Sequence, residues 1–203
     1  MAQLGSEHAL SEAEILRITC AKGGSSVLAD ACLVRGTLNT QEAWFAFQWG
    51  VLLQIGDDLQ DVGEDLERGS QTVFTRAIHE GRPLDSLVHQ LLNFSDMVAA
   101  CMDELPHGET FFKDLLRMSW RSLIFGAVGR ACTFFTPAFV EQIEAHSAFR
   151  FAFLRARQKK LARDNELIQR LFRAASAEDA ELSARLPQPV RQYRIYSPLQ
   201  SSA

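Results

Sequence analysis

The chain has 203 residues, 47% hydrophobic and 23% charged, a balance that excludes disordered, collagen-like and low-complexity architectures for its bulk and suits one globular core. Lys and Arg number 21 against 25 Asp and Glu, a net charge of −4, which argues against a general nucleic-acid binder relying on whole-molecule charge. Cys20, Cys32, Cys101 and Cys132 lack C-x-x-C or zinc spacing and read as buried, reduced thiols of a cytoplasmic protein. No basic residue precedes Arg17, so a secretory leader is not expected, and the apolar windows Trp44 to Ile55 and Ser122 to Phe135 are shorter than the ~20 residues of a membrane span.

Apolar residues recur every three or four positions, and no alternating Val/Ile/Thr-rich run lies between turn signals, so the expected fold class is all-α. Ser11 with Glu14 is a capping box that opens a first helix toward Lys22, where Gly23-Gly24 is expected to interrupt it before Ser25 to Arg35 resumes and Gly36 ends it. Asn39 with Glu42 starts a long helix, from about Thr40 through Trp44, Phe47, Val51, Ile55 and Val62 to Arg68-Gly69. Shorter helices follow at Thr72 to His79, bounded by Gly81, and at Leu84 to Leu105, bounded by Pro83 and Pro106. A stretch from Glu109 to Phe135 contains Gly126 and Gly129, where it is expected to bend, and the helical pattern from Pro137 reaches Ala175. Residues 176–203, rich in Ser, Ala, Glu and Pro, read as a flexible tail to a helical domain spanning 1–175.

The informative segment is Gln54-Ile55-Gly56-Asp57-Asp58-Leu59-Gln60-Asp61-Val62-Gly63-Glu64-Asp65. Gln54, Asp57, Asp58 and Asp61 stand at i, i+3, i+4 and i+7, and Asp65 follows Asp61 by four, so the helical period brings them to one face. Each like-charge pair at these spacings costs a helix roughly 0.2–0.5 kcal/mol, a penalty that a cation relieves. Magnesium suits such a stripe, since it prefers oxygen, binds through one or two carboxylates, and completes its octahedron with water and substrate phosphates. Upstream, Lys22 beside Gly23-Gly24 offers a cation where backbone can approach an anion closely. A solvated acidic face and a surface turn are the plain alternatives for these two features.

These residues resemble the class I trans-isoprenyl diphosphate (polyprenyl) synthases of the isoprenoid synthase superfamily. Gln54 to Asp61 is similar to that family's second aspartate-rich motif, a Gln three residues before D-D-x-x-D, and Lys22 is similar to the diphosphate-binding Lys one helix earlier. The resemblance is strongest over Ser11 to Thr72 and implies an antiparallel helical bundle of the isoprenoid synthase type. It further implies Asp57 and Asp61 as magnesium ligands, Asp58 in support, and Gln54 and Lys22 facing a prenyl diphosphate substrate. Asp61-Val62-Gly63-Glu64-Asp65 with Arg68-Gly69 also resembles the D-x-x-E-D motif of squalene and phytoene synthases. That second likeness would make Asp61 and Asp65 principal metal ligands and place Arg68 near the phosphates of a head-to-head condensation.

The chain departs from the first family at Gly23, where a Thr is usual, and after the acidic helix, where only Arg68 is basic. No second aspartate-rich motif occurs, because Asp30, Asp85, Asp96, Asp103, Asp114, Asp164 and Asp179 are each isolated from other Asp. The expectation is therefore the C-terminal portion of such a synthase, lacking the N-terminal helices, or a subunit completed by another chain in a homo- or hetero-oligomer. In a complete site, magnesium and Lys stabilise the departing diphosphate while an allylic carbocation is attacked by an alkene. Trp44, Phe45, Phe47 and Trp49 would then either face that cation or pack as ordinary core.

Phe149 to Arg173 carries Arg150, Arg155, Arg157, Lys159, Lys160, Arg163, Arg170 and Arg173 against Asp164 and Glu166. Peripheral membrane contact, a solvated face and an acidic partner all suit such a segment. There is no H-E-x-x-H, G-x-S-x-G, Walker A or G-x-G-x-x-G pattern, which leaves zinc-peptidase, hydrolase and nucleotide-binding readings without a starting residue set.

Overall fold

The computed structural model describes residues 10–157, 159–161 and 163, and all of them that lie in regular structure are helical. Seven α-helices are defined: α1 (Glu12–Arg35), α2 (Thr40–Gln60), α3 (Val62–Arg68), α4 (Val73–His79), α5 (Asp85–Asp103), α6 (Thr110–Arg130) and α7 (Pro137–Ala145). Capping chemistry in the sequence places the starts of α1, α2, α4 and α7. Ser11 accepts from the Glu14 N–H and the Glu14 carboxylate accepts from the Ser11 N–H; Asn39 with Glu42, and Thr72 with Thr75, repeat this reciprocal arrangement. At α7, Thr136 caps the Phe139 N–H and Pro137 fills the first turn, where its missing N–H costs nothing.

Two compact units divide between Arg155 and Ala156, and the tail 176–203 expected from the sequence lies outside the described residues, as do residues 164–175. In the first unit α2 is the central helix, packed against α1, α5 and α6, while α4 packs against α1 and α3. Leu52 and Leu59 of α2 are buried with Phe74, Leu84, Val88, Val98, Ile124 and Val128 in one continuous core. Arg76 of α4 donates to the Leu10 carbonyl and ties the start of the described chain to that core.

Four expectations need correction. The cysteines are not buried, since Cys32 is exposed and Cys20, Cys101 and Cys132 are half-buried. Gly23-Gly24 does not interrupt the first helix, because α1 runs unbroken from Glu12 to Arg35 with both glycines buried. They sit where α1 meets α2: a Cβ on Gly23 would lie 2.6 Å from the Gln54 Cβ, one on Gly50 would lie 2.8 Å from the Gly23 carbonyl carbon, and one on Gly24 would strike the Phe47 ring. The small residues thus permit contact between two helices, and this packing offsets the roughly 1 kcal/mol that each Gly costs a helix relative to Ala.

The long helix expected to Arg68 instead divides at Asp61, whose φ of −96° and ψ of 9° close α2 and open α3. Its N–H still donates to the Asp57 carbonyl and its carbonyl accepts from Asp65, so the acidic run keeps its helical register across the junction. Gly69 then ends α3 in the left-handed conformation, with φ 68°.

The pattern from Pro137 breaks after α7, and helix resumes at 151. Ser147 bonds both backbone groups of Phe149, and Glu144 accepts the Phe151 N–H at 2.8 Å, so side chains of the intervening turn fix the restart. Phe151 is buried in the space left by Gly129, where a Cβ would come within 2.6 Å of its ring. At the other end of the stretch from Glu109, α6 stops at Arg130 and a short 3-10 turn, Cys132–Phe134, completes it.

Candidate functional site

The Gly23–Gly50 crossing decides what faces the acidic segment. It brings Lys22, exposed on α1, to the helical face that begins at Gln54. Gln54 is half-buried and its Nε2 donates to Asp58 Oδ1 at 2.9 Å, the i,i+4 contact that a helix provides without tertiary help. Burial pushes the Asp58 carboxyl up to about 6; the Gln54 bond opposes this, the charge of Asp65 adds to it, Lys22 opposes it, and Asp57 adds to it. Lys22, Gln54, Asp57, Asp58 and Asp65 therefore form one electrostatic group.

Asp57 is exposed on the same side of α2, and Asp61 is exposed at the junction with α3. Arg68 stands apart from this group in a solvent-exposed ion pair with Glu64 at 3.0 Å. Among the described residues no three His, Cys, Asp or Glu side chains converge as a metal cage. The donor set is nonetheless all oxygen, with one carboxylate oriented by an amide and two exposed beside it. Such a set fits a magnesium ion taking one or two carboxylates from Asp57, Asp58, Asp61 and Asp65 and the rest of its shell from water and phosphate.

Arg130 is a member the sequence reading passed over except as an interruption of an apolar window. It closes α6, is half-buried, and its Nη2 donates to Gln60 Oε1 at 3.3 Å. Burial holds its guanidinium below the usual arginine range, and the charge of Asp61 partly restores it. The site thus carries Lys22 from α1 and Arg130 from α6 along its acidic face. A lone Arg inside an otherwise apolar stretch was the available signal, since such a charge needs a partner once buried.

Four of the isolated aspartates are occupied elsewhere. Asp96 pairs with Arg121 at 3.2 Å, Asp103 and Asp114 both pair with Arg117, and Asp85 accepts from the backbone and hydroxyl of Thr136. No second acidic face is assembled from these four.

The aromatic run of α2 also divides. Trp44 is exposed and stacks on Phe47 at 6.4 Å, where both line an open groove of about 510 Å³ with Leu28 and Ala43. Phe45 and Trp49 stack on each other against the core, and Trp49 meets Trp120 of α6 at 6.0 Å. A separate apolar cleft of about 140 Å³ lies between α1, α2, α4 and α5, lined by Leu16, Ile55, Phe74, Leu87, Leu91 and Phe94. A cavity of about 150 Å³ holds one benzene, so this cleft has room for an apolar group of about that size.

Comparison with protein-family models, with curated proteins and with solved structures finds no match to this chain.

Proposed function

We propose that this chain is an isoprenoid-synthase-like protein that binds a prenyl diphosphate with magnesium at the face formed by Lys22, Gln54, Asp57, Asp58 and Asp61, and serves magnesium-dependent prenyl transfer. The observation that carries the reading is the position of Lys22 beside the Gln54–Asp58 pair, set by the glycine contact between α1 and α2. An acidic stripe alone repels a diphosphate; a stripe with a cation facing it and a cation-binding carboxylate set does not.

In this reading Asp57 and Asp61 hold the metal and Gln54 fixes the Asp58 carboxylate. Lys22 and Arg130 supply positive charge at the two ends of the face. Magnesium, when bound, draws the charge developing on the leaving diphosphate. The small cleft beside Ile55 gives little room for a long hydrocarbon. This supports a site that a further segment or chain completes, whether for elongation or for head-to-head condensation.

Calorimetric titration with an unreactive allylic diphosphate analogue, with and without magnesium, tests the reading. Magnesium-dependent binding that weakens at least tenfold in Asp57→Ala and in Lys22→Ala supports it; binding indifferent to magnesium or to both substitutions refutes it.

A second reading, a non-catalytic subunit of a catalytic prenyl synthase, is favoured by the first half of α6. Phe111, Phe112, Leu115, Leu116 and Met118 are all exposed there, more apolar surface than an isolated helix usually offers to water. This subunit would associate with a catalytic homologue while binding no diphosphate by itself.

A further inference from the structure

α6 carries three arginines, and the fold treats one of them differently. Arg117 pairs with Asp103 and Asp114 at 2.8 and 2.7 Å, and Arg121 pairs with Asp96 at 3.2 Å, so both have carboxylate partners. Arg130 is half-buried and has none: its Nη2 donates to the neutral amide of Gln60 at 3.3 Å, and no ion pair among the described residues includes it. A guanidinium has five N–H donors, and a partly desolvated one without a counter-ion is costly to the fold. A packing role alone leaves that cost unexplained.

The position of the group shows what it serves. Gln60 ends α2 and Asp61 follows it at the junction with α3, so the Gln60 bond holds the guanidinium beside an exposed carboxylate. The charge of Asp61 favours the cationic form of Arg130 against burial, so the two groups act on each other through space without closing to an ion pair. A divalent ion placed on Asp61 therefore shares that carboxylate with a fixed positive charge and is repelled by it. An oxyanion arriving there accepts from the unused N–H donors and removes the repulsion.

We propose that Arg130 couples metal loading to diphosphate loading at the acidic face, an inference that rests on the magnesium and diphosphate reading above. With the face empty, Arg130 is the counter-charge of Asp61 and holds divalent-cation affinity down. With a diphosphate present, its free N–H donors take a phosphate oxygen and leave Asp61 to the metal. Anion and cation thus bind better together than either does alone, which is a coupling free energy between two ligands. Lys22 contributes less to this, because it is exposed on α1 where water and salt screen it. One fixed charge acts twice as strongly on a divalent ion as on a proton, and solvent removes much of the effect, so the expected change in metal affinity is about threefold.

Two titrations of the full chain test this, beside Arg130→Met, which keeps an apolar stem, Arg130→Gln, and Arg130→Lys, which keeps the charge. The first follows Mn²⁺ alone, with no phosphate present, by the loss of its free-ion paramagnetic signal. The second follows an unreactive allylic diphosphate analogue at saturating magnesium by calorimetry. Arg130→Met and Arg130→Gln are expected to bind Mn²⁺ about threefold more tightly than the parent chain and the analogue about tenfold more weakly. Arg130→Lys should keep the parent's Mn²⁺ affinity while losing part of the analogue's, because an ammonium lacks the planar fork. A variant that merely loses structure weakens both, so the opposite signs separate coupling from damage, and circular dichroism checks that the helices are kept. No gain in Mn²⁺ affinity in either neutral variant overturns the coupling, and so does unchanged binding of the analogue. Binding of the analogue to the parent chain only with magnesium keeps the site even where the coupling fails; its absence removes both.

Discussion

Gly23 of α1 and Gly50 of α2 meet backbone to backbone, each occupying the space that a Cβ on the other would need. The contact is mutual and involves main-chain atoms, so neither side can yield by rotating a side chain. Gly50→Ala gains up to about 1 kcal/mol of helix propensity but incurs about 1–3 kcal/mol of overpacking. The sum is a loss, seen as a lower denaturant midpoint with unchanged slope. Gly63, in α3, has nothing within 4 Å of its would-be Cβ, so Gly63→Ala should raise the midpoint slightly instead. A midpoint for Gly50→Ala at or above that of the parent chain would remove the close crossing from the account.

Asp58 makes stability depend on pH in a defined direction. Burial raises its carboxyl from 3.8 to about 6, so across that interval the folded chain holds a proton the unfolded chain has released. Stability therefore falls as pH rises from 3.8 to about 6, and the loss is complete above that value. Asp58→Asn keeps a partner for Gln54 and removes the ionisation, so its thermal midpoint should exceed the parent's at pH 7 and converge with it in acid. Parallel midpoint curves for the two proteins across this range would contradict the burial of Asp58.

Asp85 links α5 to the turn before α7. Its Oδ1 accepts the Thr136 N–H at 3.0 Å and its Oδ2 accepts the Thr136 hydroxyl. Two hydrogen bonds to a carboxylate at a helix start contribute together about 1.5–3 kcal/mol. Asp85→Ala should lower the unfolding free energy by that order, and Thr136→Ala by less, because the backbone bond survives. Urea unfolding of both variants and the double variant measures the coupling.

The exposed half of α6 should associate with a second copy of the chain. Phe112 and Leu116 lie one turn apart, with Phe111, Leu115 and Met118 on adjoining positions. Light scattering is expected to give a mass that rises with protein concentration. Phe112→Ser with Leu116→Ser should restore the monomer, while its effect on folding stays near ±0.5 kcal/mol per surface position. A constant monomer mass in the parent chain would exclude self-association through this face.

Local chemistry was legible without coordinates. Ser11 with Glu14, Asn39 with Glu42, and Gly69 after Arg68 act within one or two helical turns, so the sequence alone locates the ends they make. The Gln54–Asp58 bond belongs to the same category, since i,i+4 neighbours on a helix meet whatever surrounds them. What a residue does across the gap between helices was not legible. Gly23 has the same composition signal as a helix breaker, and only the approach of Gly50 shows that it is a packing surface. Arg130 reaches Gln60 and the charge of Asp61 across 70 residues of sequence, and the elevated Asp58 carboxyl follows from burial, a property of the assembled core. The sequence by itself determined the all-helical class, the capped helix starts and the acidic stripe, because hydrogen bonding and side-chain period are local. Tertiary structure alone decided which cations face that stripe, because electrostatic and steric neighbours are set by distance in space.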